Sequence, residues 1–226
     1  MLNASDHARV TAAIAEAERA SAGEVVVIAS EASDRYHDVA LHWALATMLG
    51  VMALCAASPS LLLGAMAAVH GPWSPEPGAS QLLTAQLLLA ALAFLLALAV
   101  LRSASVRLLL TPPATKARRV RRRAIELFRA GAERRTAGRT GVLLYVSRAE
   151  RRAEIVADAA IHSKVEPEVW GEAMAAVVSG LNAGRAGEGL EAGVREIGAV
   201  LATHLPRSPA DATADANEIP DRLITL

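Results

Sequence analysis

Two long runs without a charged residue constrain this chain more than any other feature. Asp, Glu, Lys and Arg are absent over 39–75 and again over 77–101. A helix needs about 20 apolar residues to cross the ~30 Å hydrocarbon core of a bilayer. The runs therefore predict a transmembrane hairpin over 39–101, with spans at about 39–58 and 81–101. The alternative is a helix pair buried in a soluble core, but such helices are usually shorter and carry polar positions.

Basic residues predict the orientation of this hairpin. The segment between the spans contains Glu76 but no Lys or Arg, whereas eight basic residues lie between Arg102 and Arg123. Loops rich in Lys and Arg stay on the cytoplasmic side of a membrane. Both flanks of the hairpin are therefore predicted to be cytoplasmic. Residues 1–38 lack the pattern of a signal peptide, so we expect an internal segment to direct insertion.

The charge and the cysteine content limit the kinds of binding partner and metal site that the chain can have. The chain has 23 basic and 23 acidic residues, so its overall charge gives no reason to expect nucleic acid. The basic cluster after the second span favours anionic lipid headgroups, each Lys or Arg near the surface adding about 1 kcal/mol. The predicted headgroup ligands are Lys116, Arg118, Arg119 and Arg122. The single cysteine, Cys55, excludes an intramolecular disulfide and a cysteine-based zinc site.

The flank before the hairpin predicts one helix and one strand. Ser5 is a suitable N-cap, and four apolar residues then recur at helical spacing: Val10, Ala13, Ile14 and Ala17. The β-branched run "EVVVIAS" (24–30) has the length of a strand. A single strand has no partner, so this flank is expected to fold with the other one.

The flank after the hairpin supplies the remaining elements. They are a helix over 114–135, strands over 141–147 and 153–158, and helices over 167–184 and 188–205. The predicted domain is therefore discontinuous and combines 1–38 with 114–205. The remaining residues, 206–226, are rich in Pro, Ala and Asp and are predicted to be an extended tail.

Acidic residues follow the first two predicted strands. If those strands are parallel, the helix over 114–135 is their crossover, and their carboxyl ends share one edge facing the membrane. Ligands of open α/β sheets favour that edge. Asp34 and Asp38 follow the first strand and Glu150 follows the second. These carboxylates are the candidate ligands for a hard cation, calcium or magnesium.

Four segments resemble the TPM domain family, which occurs in plant thylakoid-lumen, animal and bacterial membrane-associated proteins. They are "AIAEAERASAGEVVVIAS", "RTGVLLYVSRAERRAEIVADAAI", the stretch from "VWGEAMAAVVSGLNAG" to "LATHLP", and "NEIPD". The resemblance implies an α/β fold: a three-layer α/β/α domain with a small mixed sheet, here interrupted by the hairpin. Some members are metal-binding acid phosphatases, and others are assembly or repair factors or ion-channel modulators.

The chain departs from the family where metal-binding members carry acids. Those members have a pattern similar to Asp-Asn-Gly-Val-Leu at the start of the "GVLL" strand, whereas Arg139 and Thr140 stand there in this chain. A pair of carboxylates holds a hard cation, but an arginine with a threonine does not. The departure argues against the phosphatase activity that the resemblance implies.

Other motifs indicate little chemistry. The glycine-rich stretch "NAGRAGEG" (182–189) joins two predicted helices, so we interpret it as a turn and not as a phosphate-binding loop. Ser147 is the one serine worth testing as a nucleophile, although a strand-end hydroxyl usually bonds a turn amide. His162 lies near Asp158 and Glu166 in sequence, and Asp34, His37 and Asp38 form another cluster. Neither cluster has the spacing of a recognised metal site, and a structural or solvated role is favoured for both.

The sequence therefore predicts an integral membrane protein whose cytosolic domain is a binding, assembly or regulatory module. A divalent-metal-dependent phosphatase acting at the membrane surface is the alternative. A third hypothesis is an accessory subunit that binds other membrane proteins through its hairpin.

Overall fold

The computed structural model of the protein describes residues 2–71, 75, 77–131, 140–207 and 223–226. They form two compact units: an α/β unit that joins Met1–Asp34 to Pro113–Leu226, and a helical unit, Arg35–Pro112. The helices are α1 Ala4–Ala20, α2 His37–Ala57, α3 Pro59–His70, α4 Ala79–Val100, α5 Ala104–Leu110, α6 Pro113–Gly131, α7 Ala159–His162, α8 Gly171–Asn182 and α9 Ala186–His204. The strands are β1 Glu24–Ser30, β2 Gly141–Ser147, β3 Arg152–Ala157 and β4 Ile224–Thr225.

Helix α1 begins after Asn3 and not after the predicted cap, Ser5. The Asn3 side chain accepts a hydrogen bond from the Asp6 backbone N–H at 2.8 Å, and the Asp6 carboxylate accepts one from the Asn3 N–H at 3.0 Å. This reciprocal capping box satisfies two backbone donors that the first turn leaves without helical partners. The predicted apolar stripe is confirmed, because its four members are buried: Val10, Ala13, Ile14 and Ala17.

The sheet is small and mixed, with strand order β3-β2-β1-β4. Strands β1 and β2 are parallel along their whole length, from Glu24 opposite Gly141 to Ser30 opposite Ser147. Strand β3 runs antiparallel to β2 after a tight turn. Two strands that the hairpin separates in sequence are thus neighbours, and their carboxyl ends lie at the same edge.

Helices cover both faces of the sheet and complete three layers. Because side chains alternate along a strand, Val25 and Leu144 face one core and Val26 and Tyr145 face the other. The first core packs against α1, α8 and α9, with Ile14 and Leu190 fully buried. The second core is smaller and packs against α6 through three residues, Val120, Ala124 and Phe128. The predicted fold class, a three-layer α/β/α domain with a small mixed sheet, is confirmed.

The end of the chain returns to the sheet. The composition of 206–226 predicted an extended tail, but Ile224 and Thr225 form β4, parallel to β1. The Leu226 N–H donates to the Ala29 carbonyl at 3.0 Å, and Leu223 is buried in the larger core. A two-residue strand carries almost no sequence pattern, so only its pairing with β1 identifies it.

Helices α8 and α9 pack so closely that their backbones are in contact. A Cβ atom on Gly180 would lie 2.5 Å from the Cα of Gly189, and one on Gly193 would overlap the Val177 side chain. The predicted interhelical turn is confirmed: Gly184 has φ +72°, and the Arg185 N–H donates to the Gly180 carbonyl at 2.8 Å. The glycines of this stretch therefore serve helix packing and turn geometry.

The helical unit contains two helices long and apolar enough to cross a membrane. Helix α2 has 21 residues and α4 has 22, and an 18-residue window of each has a mean hydropathy of 1.9 and 2.4, respectively. They pack along each other, and the Gln86 side chain of α4 donates to the Met52 carbonyl of α2 at 3.3 Å. Large apolar side chains lie exposed on both helices: Leu41, Leu45, Leu49, Leu54, Leu83, Leu87, Leu88, Leu92, Leu95 and Leu96. A helix pair in a soluble core would hide such residues.

Candidate functional site

The segments that follow β1 and β2 are bound to each other at the carboxyl edge of the parallel strands. The Arg148 N–H donates to the Ser30 carbonyl at 3.0 Å, and the Ala149 N–H donates to the Glu31 carbonyl at 2.9 Å. The Arg148 guanidinium also pairs with the Glu31 carboxylate at 2.8 Å. This edge is the position at which open α/β sheets bind ligands.

Glu150 lies in the turn after β2, and its carboxylate binds two donors of the protein. One oxygen accepts from the Ser33 N–H at 3.0 Å, and the other accepts a hydrogen bond from the Ser147 hydroxyl. Glu150 is 8% exposed and Ser147 is fully buried. The Ser33 hydroxyl continues the network to the Tyr145 hydroxyl at 3.1 Å. Glu150 therefore connects the turn after β2 to the segment after β1.

Asp34 is paired with arginines of α6. Its carboxylate lies 3.1 Å from Arg119 Nη1 and 3.5 Å from Arg122 Nη2. The Arg119 side chain is 15% exposed and the Arg122 side chain is 67% exposed. Two guanidinium groups thus neutralise the carboxylate that the sequence analysis assigned to a cation.

The third candidate cation ligand, Asp38, belongs to the helical unit, in the first turn of α2. Asp34 and Glu150 belong to the α/β unit. Within the part of the chain that the structure describes, no group of three or more His, Cys, Asp or Glu side chains is placed to hold a metal ion. A metal-binding role for the three carboxylates stays a prediction.

The four predicted headgroup ligands lie on α6. Arg118 and Arg122 are exposed, whereas Lys116 and Arg119 are partly covered. Arg118 donates to the Thr115 hydroxyl at 3.3 Å. Glu126 lies 3.7 Å from Arg122 and 3.5 Å from Arg123 and is the acid that this helix supplies itself. The outer surface of α6 is therefore strongly basic.

Glu154 on β3 is a titratable residue that the sequence analysis missed. Burial raises the pKa of Glu154 above its ordinary value, and the nearby charges of Arg121 and Arg152 oppose that rise. Its position in an alternating strand gives the only hint, since Val156 of the same strand faces the core beneath α6. The carboxylate adds negative charge beside the basic helix.

The remaining candidates have structural partners. Ser147 is buried and hydrogen-bonded to Glu150, so a substrate does not reach its hydroxyl. At the opposite edge of the sheet, the Asp158 carboxylate accepts from the Gly141 N–H at 2.9 Å. The Thr140 carbonyl accepts from the Glu24 N–H at 3.1 Å. Arg139, the other position at which the chain departs from the family pattern, lies outside the described residues.

Comparison with known proteins identifies a family and a fold. The TPM domain family matches residues 81–200. The structure is similar to the NMR structure of the BA42 protein from the psychrophilic bacterium Bizionia argentinensis, with a TM-score of 0.55 and 16% sequence identity. The superposition covers 100% of this chain and 96% of that protein. At this identity the likeness concerns the fold alone. No curated protein matches the chain in sequence.

Proposed function

Because this chain belongs to the TPM domain family, we propose that it is a multi-pass membrane protein whose TPM domain is a binding or assembly module. The module faces the cytosol at the inner membrane of a bacterial cell, and its basic helix α6 contacts anionic lipid headgroups. The observation that carries this proposal is that the acidic groups at the carboxyl edge of β1 and β2 already have partners within the protein. Glu150 accepts hydrogen bonds from Ser33 and Ser147, and Asp34 pairs with two arginines.

The geometry at this edge favours binding over hydrolysis. A hydrolytic metal centre needs carboxylate oxygens directed at an open position. Both Glu150 oxygens instead accept hydrogen bonds from Ser147 and Ser33, and Asp34 faces Arg119 and Arg122. A cation at these acids would compete with the hydroxyl, the backbone N–H and the two guanidinium groups that they already bind. A fixed edge with a basic helix beside it suits recognition of an anionic surface.

Hydrolysis assays separate the module from a phosphatase. The full chain in neutral detergent is offered phosphomonoesters with and without calcium or magnesium. We expect no metal-dependent hydrolysis that depends on Asp34 or Glu150. Turnover that requires the metal and disappears in Asp34→Ala or Glu150→Ala, but persists in the matched exposed variant Glu168→Ala, would assign the phosphatase function instead.

Orientation is tested separately by thiol labelling in cells. In a Cys55→Ala background, one cysteine is introduced at Ser74, between the spans, or at Ser163, on the surface of the α/β unit. The positive-inside rule supports labelling of Ser74→Cys by an impermeant reagent in spheroplasts, and of Ser163→Cys only after lysis. The reverse pattern would place the TPM domain outside the cytoplasm.

A further inference from the structure

Acids and arginines alternate in a network around the middle of α6. Asp34 bridges Arg119 and Arg122, and Glu126 bridges Arg122 and Arg123. Three arginines thus share two carboxylates, one of which comes from another segment of the chain. Asp34 is the last residue of the first piece of the α/β unit, and α2 begins at His37.

The charge distribution along α6 is electrostatically unfavourable for an isolated helix. The amino end of a helix carries a partial positive charge, which acids stabilise and cations destabilise. The first turn of α6 contains no acid, and six basic residues occur between Lys116 and Arg123. Bound anions therefore relieve repulsion among these basic residues, and Asp34 is the anion that another segment of the chain supplies to Arg119 and Arg122.

Several arginines of α6 lie on its exposed side, and this position favours an extended anionic surface as their partner. Val120, Ala124 and Phe128 define the buried face of α6, and Arg118, Arg122 and Arg129 lie on the opposite side and are exposed. In sequence, Arg118 follows the end of α4, a helix long enough to span a bilayer, by only 18 residues. A row of arginines this near a span favours the phosphates of anionic phospholipids.

We propose that Asp34 occupies the position of a lipid headgroup, and that the phosphate of an anionic phospholipid replaces it at Arg119 and Arg122. Asp34 is then a built-in competitor that weakens headgroup binding until anionic lipid is abundant. The exchange stays local, because Ser33 keeps its hydrogen bond to Glu150. This inference rests on the proposed function, since it specifies the regulation of the lipid-contacting helix.

Lipid titration of the full chain tests the exchange. The chain in neutral-detergent micelles is titrated with phosphatidylglycerol or phosphatidylcholine, and native mass spectrometry counts the bound lipids. We expect preferential retention of phosphatidylglycerol. Asp34→Asn raises its apparent affinity about fivefold, and Arg122→Gln lowers it by about the same factor, the effect of one basic group near a lipid surface.

Charge-matched variants on the opposite helix layer are the controls. Glu16→Gln on α1 and Arg195→Gln on α9 change the net charge equally and are expected to leave the affinity unchanged. The exchange is refuted if Asp34→Asn binds no more tightly than the wild type, or if Glu16→Gln gives the same gain. Displacement of the lipid by equimolar inorganic phosphate would assign the site to a soluble anion and also overturn the proposal.

A failure of the exchange can be distinguished from misfolding of the Asp34→Asn variant and from a reversed orientation of the protein. Thermal unfolding shows whether Asp34→Asn remains folded, and if it does not, an unchanged affinity in Arg122→Gln refutes the exchange on its own. A detergent micelle has no cytoplasmic side. A protein of reversed orientation would therefore fail the thiol-labelling test but still show the expected changes in phosphatidylglycerol affinity in the lipid titration.

Discussion

At the scale of single residues, Glu150 stabilises two segments that are distant in sequence. Replacing it with alanine removes the acceptor of the Ser33 N–H and of the buried Ser147 hydroxyl. A buried donor without a partner costs about 1–3 kcal/mol, and the Ser33 N–H is only partly buried, so we expect Glu150→Ala to lower the free energy of unfolding by about 1–3 kcal/mol. Exposed Glu168→Ala is the control, with a change within about 0.5 kcal/mol.

The chain's few tryptophans allow that measurement within the α/β unit alone. Trp170 is buried in the larger core, whereas Trp43 and Trp73 belong to the hairpin region. In a Trp43→Phe, Trp73→Phe background, the fluorescence of Trp170 reports denaturant unfolding of the α/β unit. Equal stability of Glu150→Ala and Glu168→Ala would contradict a stabilising role for the Glu150 carboxylate.

Glu154 predicts a pH dependence of stability. Burial raises its pKa in the folded state, so the folded protein holds this proton to a higher pH than the unfolded chain does. The stabilising contribution of the protonated group is complete below the ordinary glutamate pKa and is lost as the pH rises through the raised value. Glu154→Gln should therefore have a higher thermal midpoint than the wild type at pH 7.

The difference in thermal midpoint between Glu154→Gln and the wild type must change with pH in one direction. It should shrink as the pH falls toward the ordinary pKa of glutamate, because Glu154 of the wild type is then protonated and therefore uncharged, as glutamine is. Thermal unfolding at a series of pH values measures it, and the exposed variant Glu16→Gln should show no such trend. A wild type that is more stable than Glu154→Gln at pH 7 would show that Arg121 and Arg152 outweigh the burial of the carboxylate.

The sequence grouped Asp34, Asp38 and Glu150 but did not predict the contacts of these residues. They were expected at one edge because carboxyl ends of parallel strands lie together, and β1 and β2 are parallel. Their partners were not predictable, because Ser33 and Arg119 reach them only through tertiary packing. A carboxylate that follows a strand looks the same in sequence whether it binds a cation or a guanidinium group.

At the scale of elements, close packing of α8 on α9 depends on glycine. Alanine at Gly180 would bring its Cβ within 2.5 Å of the Gly189 backbone, which does not yield as a flexible side chain does. We expect Gly180→Ala to destabilise the α/β unit by about 1–3 kcal/mol. The matched change in the same helix is Gly171→Ala, where nothing lies within 4 Å of the added atom, and it should be neutral or stabilising.

Trp170 fluorescence during denaturant unfolding serves for this pair of variants too. Helix propensity favours alanine over glycine at both positions. A Gly180→Ala variant that is no less stable than Gly171→Ala would therefore contradict the close approach of α8 to α9.

Prediction of the elements succeeded where local pattern and packing agree. Strands β1 and β2 were predicted to the residue, because each is an apolar run of strand length marked by a glycine, Gly23 before β1 and Gly141 at the start of β2. The helix predicted over 167–184 is divided in the structure into a 3-10 turn, Pro167–Trp170, and α8. Strand β4 was missed because its pairing with β1, and not its own two residues, defines it.

At the scale of the whole molecule, the two long apolar helices, α2 and α4, differ from the α/β unit in the surface that they expose. The exposed leucines of α2 and α4 form an apolar surface that water does not favour and that lipid chains do. The α/β unit, by contrast, has a buried core between two helix layers. The chain therefore combines a water-compatible domain with a segment suited to lipid.

An arginine placed on that apolar surface distinguishes membrane insertion from a soluble fold. Leu88 lies in the middle of α4 and is 64% exposed. Arginine at the centre of a span costs about 2.5–3.5 kcal/mol during insertion, so we expect Leu88→Arg to reduce the fraction of protein that resists alkaline extraction from membranes. Leu109→Arg on α5, at a position 80% exposed beyond the span, should leave that fraction unchanged. If α4 faced water, Leu88→Arg would instead be harmless or improve solubility, and this result would contradict the transmembrane hairpin.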